Sequence, residues 1–434
     1  MKMKFIKMGI NGEGIGYIDH KPVFVDGVFP TEEAEVEITE KKETYCRGVV
    51  KRITQYSDER VKTNYKYATE EGCPLFTMKY PAQLKYKKGL LEEALIKYAN
   101  VKRSFVRDIH PSVSTLGYRS QCKLPVQESH HLIQTGMYMP GSNHWHPIDR
   151  SLIQDPLLEK VRVKILKRVG RSHLHAYDAR SEKGLRYLVL RCIDNKVQCT
   201  LVTGKDKVHK ELIEEIMEIN EMDGLFQSIN TDRKSIGIFG SEVRKLAGND
   251  TQAVTIDGIT LQLSPQSFFQ LNVRTAEELY RTAISKIDPC DTLVEAYCGI
   301  GAMSLLAHDK ARQIYGIESI PDAVKNAKMN ADNNGIDNVQ FFCADAAEGL
   351  NQITAHTNVD TILVDPPRSG MDDRMIGAIL RAKPKKIVYI SCNPATLARN
   401  LKQLKRDYHV VTVIPFDMFP HTPHVESITV LERG

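Results

Sequence analysis

The chain has 434 residues, 42% hydrophobic and 26% charged, the composition of folded globular protein and not of disorder. That length accommodates roughly two to four domains. A net charge of +5, from 59 Lys and Arg against 54 Asp and Glu, is only mildly basic, so where the charge lies matters more than its sum. The opening stretch MKMKFIKMGINGEG holds no apolar run long enough for a signal peptide, and nothing approaches the roughly 18 consecutive apolar residues of a membrane span. A cytoplasmic, monomeric protein without membrane contact is expected. Nine cysteines without a CxxC pair give no local support to a zinc ribbon, and their odd number argues against a disulfide framework.

Residues 1–56 read as five short strands, Lys4–Met8, Gly14–Ile18, Lys21–Val25, Ala34–Ile38 and Arg47–Arg52, divided by turn signals such as Asn11-Gly12 and Asp26-Gly27. Five strands in that space suit a small closed barrel of the OB kind, a scaffold that binds oligonucleotides. The run Gly12–Gly16 opens a strand with no helix after it, so it reads as a tight hairpin bend and not as a phosphate loop. Residues 41–110 carry 16 Lys and Arg against 8 Asp and Glu. Groups such as Lys85, Lys87 and Lys88, then Lys102, Arg103 and Arg107, suit salt-dependent phosphate contact and equally suit a solvated basic face.

Helical spacing runs over 81–100, with Leu84, Leu91, Ala94, Leu95 and Tyr98 on one side. Residues 57–262 are mostly β-rich, with strands expected at Tyr118–Pro125, Leu132–Met139, Arg186–Ile193, Val197–Thr203 and Ser235–Phe239 and helices near 155–168 and 207–221. The final region, 263–434, changes character. Apolar strands at 292–297, 313–318, 338–345, 361–365 and 386–391 alternate with helices near 302–309, 321–333, 373–381 and 394–405, before strands at 409–414 and 426–431. This rhythm predicts an α/β fold, a doubly wound, mostly parallel sheet with its ligands past the carboxyl ends of the strands.

Five loops lie at those ends. Glu295–Gly301 follows a strand and opens a helix, so its glycines allow close backbone approach to a ligand. Glu318 ends the next strand, where a carboxylate can take two ribose hydroxyls, and Asp345 ends the one after, level with an adenine edge. Asp365-Pro-Pro-Arg368 puts a rigidly held carboxylate in the crevice, for base recognition or as a helix cap. Cys392 stands at the mouth of the sheet just before a helix, whose N-terminal field favours a nucleophilic thiolate over a buried thiol. His421 and His424 suit capping or packing, and Glu426 is a general base if the fold brings it to the crevice.

Taken together, SPQSFFQLN (Ser264–Asn272), EAYCGIG, GIES, DPPRSG, SCNPATLARN and FPHTPHVES resemble, in that order, the uracil-5 RNA methyltransferases, most of all the branch acting on 23S ribosomal RNA. The match spans 264–434. The first barrel resembles the family's TRAM domain, and GYRSQCKLPV and INTDRKSIGIFG its central β domain. The resemblance implies a Rossmann-like catalytic domain using S-adenosylmethionine, to which part of the helical stretch 81–112 is donated. It implies that Gln270, Tyr297, Glu318 and Asp345 form the donor pocket, and that Asp365 lies near donor and target base. Cys392 falls on the nucleophile and Glu426 on the base.

Two departures stand out. Many relatives hold a 4Fe–4S cluster on CxxxxxCxxC and a distant fourth Cys; here Cys73 lacks its two neighbours and Ser151 stands at the fourth place, so no cluster is expected. Ala302 replaces an Asn or Thr, which removes one hydrogen bond to the donor. Other readings are a transfer-RNA uridine methyltransferase, a DNA cytosine-5 methyltransferase, disfavoured because Ser391 and not proline precedes the cysteine, and a degenerate enzyme kept as a ribosome-assembly factor.

Overall fold

The computed structural model describes residues 1–434 apart from 131, 140, 141 and 233–236. Strands Lys2–Lys4 (β1), Lys7–Met8 (β2), Gly14–Ile18 (β3), Lys21–Val25 (β4), Glu33–Lys41 (β5) and Cys46–Gln55 (β6) form one sheet in the order β1-β5-β6-β4-β3-β2. The single strand expected over Lys4–Met8 is two. At Phe5 the chain changes neighbours: β1 pairs with β5, the Phe5 N–H donates to the Glu32 carbonyl at 2.9 Å, and the Ile6 N–H donates to the Ile15 carbonyl at 3.0 Å. This switch curls the sheet around Phe5, Val23, Val25 and Val36. At the seam a Cβ on Gly16 would stand 2.5 Å from the Met3 sulfur, so the close approach requires glycine.

Helix Tyr80–Ala99 (α1) begins with Pro81 and ends at Asn100 in the left-handed region. Its buried stripe is Gln83, Lys87, Leu91, Leu95 and Ala99, which shares Leu91 and Leu95 with the expected one; Tyr98 is exposed. The first two turns face polar groups of a distant loop, so side chains that hydrophobic patterning discounts lie inside. Lys87 is thereby removed from the basic surface and pairs with Asp417. Lys88 pairs with Asp108 at 2.6 Å and Arg103 with Glu92 at 3.2 Å, which trims the expected phosphate-binding cluster further. Leu91 and Leu95 join the core of the C-terminal sheet alongside Val364 and Leu397.

The middle of the chain contains Gln121–Ser129 (β7), Leu132–Tyr138 (β8), Trp145–Pro147 (β9), Pro156–Val169 (α2), Leu185–Ile193 (β10), Lys196–Thr203 (β11), Lys210–Met217 (α3), Met222–Ile229 (β12) and Val243–Gly248 (β13). Its seven strands run β13-β12-β11-β10-β7-β8-β9, with α2 and α3 packed on them through Leu158, Ile165, Leu212 and Ile216. Helix α3 stops short of the expected 221 because Met222 opens a strand beside β11. The strand expected over Ser235–Phe239 begins outside the described residues, and Gly237–Phe239 are not in a strand.

A hairpin of Gln252–Ile256 (β14) and Ile259–Leu263 (β15) comes next. Its Val254, Ile256, Leu261 and Leu263 share one core with Leu293 and Ile314. Val273–Ile284 (α4), Cys290–Ala296 (β16), Ala302–Leu306 (α5), Ala311–Glu318 (β17), Pro321–Asn333 (α6), Val339–Cys343 (β18) and Ala346–Thr354 (α7) follow. Thr361–Val364 (β19), Asp373–Ala382 (α8), Lys386–Ser391 (β20), Pro394–Leu404 (α9), Tyr408–Phe416 (β21) and Glu426–Arg433 (β22) complete the fold. The sheet order is β18-β17-β16-β19-β20-β22-β21, parallel except that β22 runs antiparallel to both neighbours. Strand order reverses at β16, which places the crevice there, as expected of a doubly wound sheet. Among the described residues no helix is long and apolar enough to cross a membrane.

Candidate active site

Strand register alone brings the polar loop residues to one edge. Ala296 pairs with Ile317 and with Val364, and Val364 with Tyr389, so Tyr297, Glu318, Asp365 and Cys392 all follow strand ends on the same side. Ser391 pairs with Ser427 in antiparallel β22, which sets Cys392 opposite Glu426. A cavity of about 620 Å³ opens beside them, lined by Gln270, Tyr297, Glu318 and Asp365 together with Glu295, Tyr280 and Phe268. Gly301 (φ 81) lets the loop turn into α5: a Cβ there would lie 2.6 Å from the Phe341 ring. Tyr297 is also left-handed (φ 65), an unfavourable conformation for a bulky residue that only the surrounding structure can hold. Glu318 is fixed by the Gly299 N–H at 3.1 Å and the Ile320 N–H at 2.9 Å. The Asp365 loop is tied to the Cys392 loop, since Asn393 Nδ2 donates to the Arg368 carbonyl at 3.2 Å.

This edge is crowded with acid. Burial raises Asp365 to about 7. Burial, reinforced by the charge of Asp365, raises Glu426 to about 8, against the pull of Arg368. Glu295, buried and accepting from Ser304, also reaches about 8. Burial and then the charges of Glu426 and Asp365 push the Cys392 thiol up to about 12. That corrects the expectation of a thiolate favoured by the helix field: in the free pocket, desolvation and two neighbouring carboxyls outweigh the α9 N-terminus, and the thiol is neutral. His421 and His424 are both lowered to about 4, chiefly by burial, so each is a neutral imidazole. His424 Nδ1 lies 3.2 Å from an Arg368 nitrogen.

Residues 242–434 match the family described as tRNA (uracil-5-)-methyltransferase, and residues 5–51 match the TRAM domain. An uncharacterized RNA methyltransferase of Bacillus anthracis is 32% identical over 98% of this chain and 95% of its own. The chain belongs to the uracil-5 RNA methyltransferase family. Another such relative, from Caldanaerobacter subterraneus subsp. tengcongensis, is 35% identical over 98% of this chain and 96% of its own. The tRNA (uracil-54, C5)-methyltransferase of Pyrococcus abyssi, solved with S-adenosyl-L-homocysteine, shares the fold at a TM-score of 0.80 and 24% identity, covering 99% of this chain and 100% of that one. This RNA methyltransferase joins an N-terminal TRAM barrel to a Rossmann-like catalytic domain.

Of the residues singled out in the methyltransferase sequence, Gln270, Tyr297, Glu318 and Asp365 line the cavity, with Cys392 and Glu426 paired beside it. Asp345 caps α7 by accepting from the Ala347 N–H at 3.2 Å and lies 3.4 Å from Arg374; like Cys392 and Glu426 it is not among the lining residues, and its charge reaches Tyr297. Ala302 lines the cavity and brings no polar group to it. Sequence reasoning passed over Glu295 and Tyr280, whose roles depend on burial, and gave Arg368 no task although its charge reaches both Cys392 and Glu426. Cys73 is fully buried against Phe76, Tyr118 and Ile153. No group of three or more metal-binding side chains is gathered among the described residues.

Proposed function

We propose that the enzyme methylates C5 of a uridine in 23S ribosomal RNA through a covalent adduct between Cys392 and C6 of the ring. The observation that carries this reading is the β20–β22 register, which sets Cys392 against Glu426, both within reach of the charge of Asp365, a residue that lines the cavity with Glu318. The cavity suits the donor: a fixed carboxylate, Glu318, for ribose hydroxyls, a glycine loop for close backbone approach, and buried carboxyls that attract positive charge. When bound there, S-adenosylmethionine supplies an electrophilic methyl group.

Uracil C5 is too weakly nucleophilic to take that methyl unaided. With the donor's positive charge in the cavity the Cys392 pKa falls, the thiol releases its proton to solvent, and the Sγ thiolate bonds to C6 while the electrons of the C5–C6 double bond move onto O4 as an enolate. Asp365 or Gln270 hydrogen-bonds the polar edge of the ring and stabilises that charge. C5 then takes the methyl group. Glu426 removes the C5 proton, the double bond reforms, and the Cys392 thiolate leaves. Glu426 must be a carboxylate for this, and positive charge brought into the cavity lowers its pKa toward that form. The base must leave its stack, at about a few kcal/mol, which a looped substrate reduces.

The decisive experiment separates the two residues. Glu426→Gln permits addition and methyl transfer but not elimination, so a denaturing gel shows a stable protein–RNA band. Cys392→Ala shows neither band nor methylation while still binding donor. Normal turnover by Glu426→Gln would exclude it as the base. The motifs favour ribosomal RNA, whereas the matched family is described by transfer RNA. Mapping 5-methyluridine in both RNA pools of a deletion strain decides between them, and loss from transfer RNA alone would overturn the ribosomal assignment.

A further inference from the structure

The segment from Asp417 to Val425 connects β21 to β22 and delivers Glu426 to the crevice. Four consecutive carbonyls in it are held by groups from elsewhere in the chain. Asn272 Nδ2 donates to Met418 at 3.1 Å, Lys87 Nζ to Phe419 at 2.8 Å, the Tyr118 hydroxyl to Pro420 at 3.0 Å, and the Leu75 N–H to His421 at 3.0 Å. His421 itself is left-handed (φ 67); Gln83 Oε1 accepts from the His421 N–H at 2.9 Å, and Gln83 Nε2 lies 3.1 Å from the ring Nδ1. The same Nε2 donates to the Leu75 and Met78 carbonyls. Lys87, fully buried, pairs with Asp417 at the segment's start. A helix of the N-terminal half thus supplies polar side chains to a loop more than 300 positions away in sequence.

A buried ammonium and a buried amide are costly ways to fasten two surfaces that apolar side chains could join. What they add is direction, since each hydrogen bond fixes one carbonyl or one ring. We infer that Lys87 and Gln83 are positioning residues for Glu426, holding the 417–425 segment in the one conformation that aims its carboxylate at the C5 proton. The inference rests on Glu426 being the base. Neither residue touches substrate. Their loss acts on elimination, when Glu426 takes the C5 proton, and leaves addition of Cys392 Sγ and methyl transfer in place.

The test uses the full enzyme and two RNA preparations from cells lacking it: bulk RNA, and bulk RNA from such cells fed 5-fluorouracil. With 5-fluorouridine there is no C5 proton to remove, so methylation stops at the adduct whatever the state of the base. Lys87→Met leaves Asp417 buried without its cation, so Lys87→Met/Asp417→Asn and Gln83→Leu are examined beside it. The expected result is a fall of about tenfold or more in turnover on uridine RNA with an accumulating protein–RNA band, while donor affinity and the rate of the 5-fluorouridine adduct stay within about twofold of wild type. Two outcomes overturn the inference: wild-type turnover in both the double variant and Gln83→Leu, or an equal fall in turnover and in 5-fluorouridine adduct formation. Glu426→Gln is the control. If it stalls and the others do not, positioning by α1 alone is refuted; if it also turns over normally, the base assignment falls as well.

Discussion

Cys392, Asp365, Glu295 and Glu426 form a site whose resting state is protonated. Two buried carboxyls, Asp365 and Glu426, lie near a thiol raised to about 12, and a third, Glu295, feels the charge of Asp365; with carboxyl values of about 7 to 8, the pocket near neutral pH retains protons that such groups lose in water. A cationic donor therefore displaces protons. The affinity for S-adenosylmethionine should rise by about tenfold between pH 6 and pH 9, as the carboxyls ionise, whereas S-adenosyl-L-homocysteine, whose sulfur is neutral, should show a much flatter profile. Titration calorimetry of both ligands across that range checks it, and parallel profiles would show that the carboxyls do not sense the sulfonium. The positions of these residues were readable from sequence because each follows an apolar strand. Their protonation was not, because it depends on how many acids the fold buries together; the helix field at Cys392 was visible, and the opposing carboxyls were not.

Among the elements, the strands and helices of the catalytic sheet were the most legible, since long apolar runs alternating with amphipathic helices leave little choice: Pro321–Asn333 and Lys386–Ser391 fall where patterning put them. Helix α7 escaped notice because Ala346–Thr354 is short and rich in small and polar residues. Helix α1 was foreseen in extent but not in orientation, because its first turns bury Gln83 and Lys87 against polar partners. The turn from β16 into α5 is the most constrained of these junctions. Gly301→Ala adds a methyl at a left-handed residue facing the Phe341 ring, a strain of about 1–3 kcal/mol. We expect a protein that still folds, with a lowered melting temperature and donor affinity reduced by an order of magnitude or more. Unchanged calorimetric binding would mean that the loop relaxes without disturbing the cavity.

At the scale of the molecule, the barrel is not a loosely tethered module. Met8 and Phe29 pack with Leu75 and Met78, and the guanidinium of Arg60 pairs at 2.6 Å with fully buried Glu32. Removing residues 1–56 would therefore strip a core as well as an RNA contact, so surface charge is the cleaner probe. Lys85→Glu and Lys102→Glu, at exposed positions, should each weaken RNA binding and reduce the slope of log affinity against log salt by about 1, with donor affinity constant. A salt slope equal to wild type would place the RNA elsewhere. The region around Cys73 offers a further check. Protein purified without oxygen should be colourless and contain no stoichiometric iron; about four irons per chain would require ligands other than those the cysteine pattern supplies.

Strand β22 follows β21 in sequence yet lies between β20 and β21 in the sheet. A chain made from its N-terminus therefore holds Cys392 and the donor cavity before it holds Glu426, and β21 gains a place in the sheet only through β22. On the proposed mechanism, a nucleophile without β22 has no partner to release it from an adduct. A ribosome-bound nascent chain ending near residue 420 would carry most of the donor site yet lack the means to turn over, so catalytic competence arrives in a single late step of folding instead of growing with chain length.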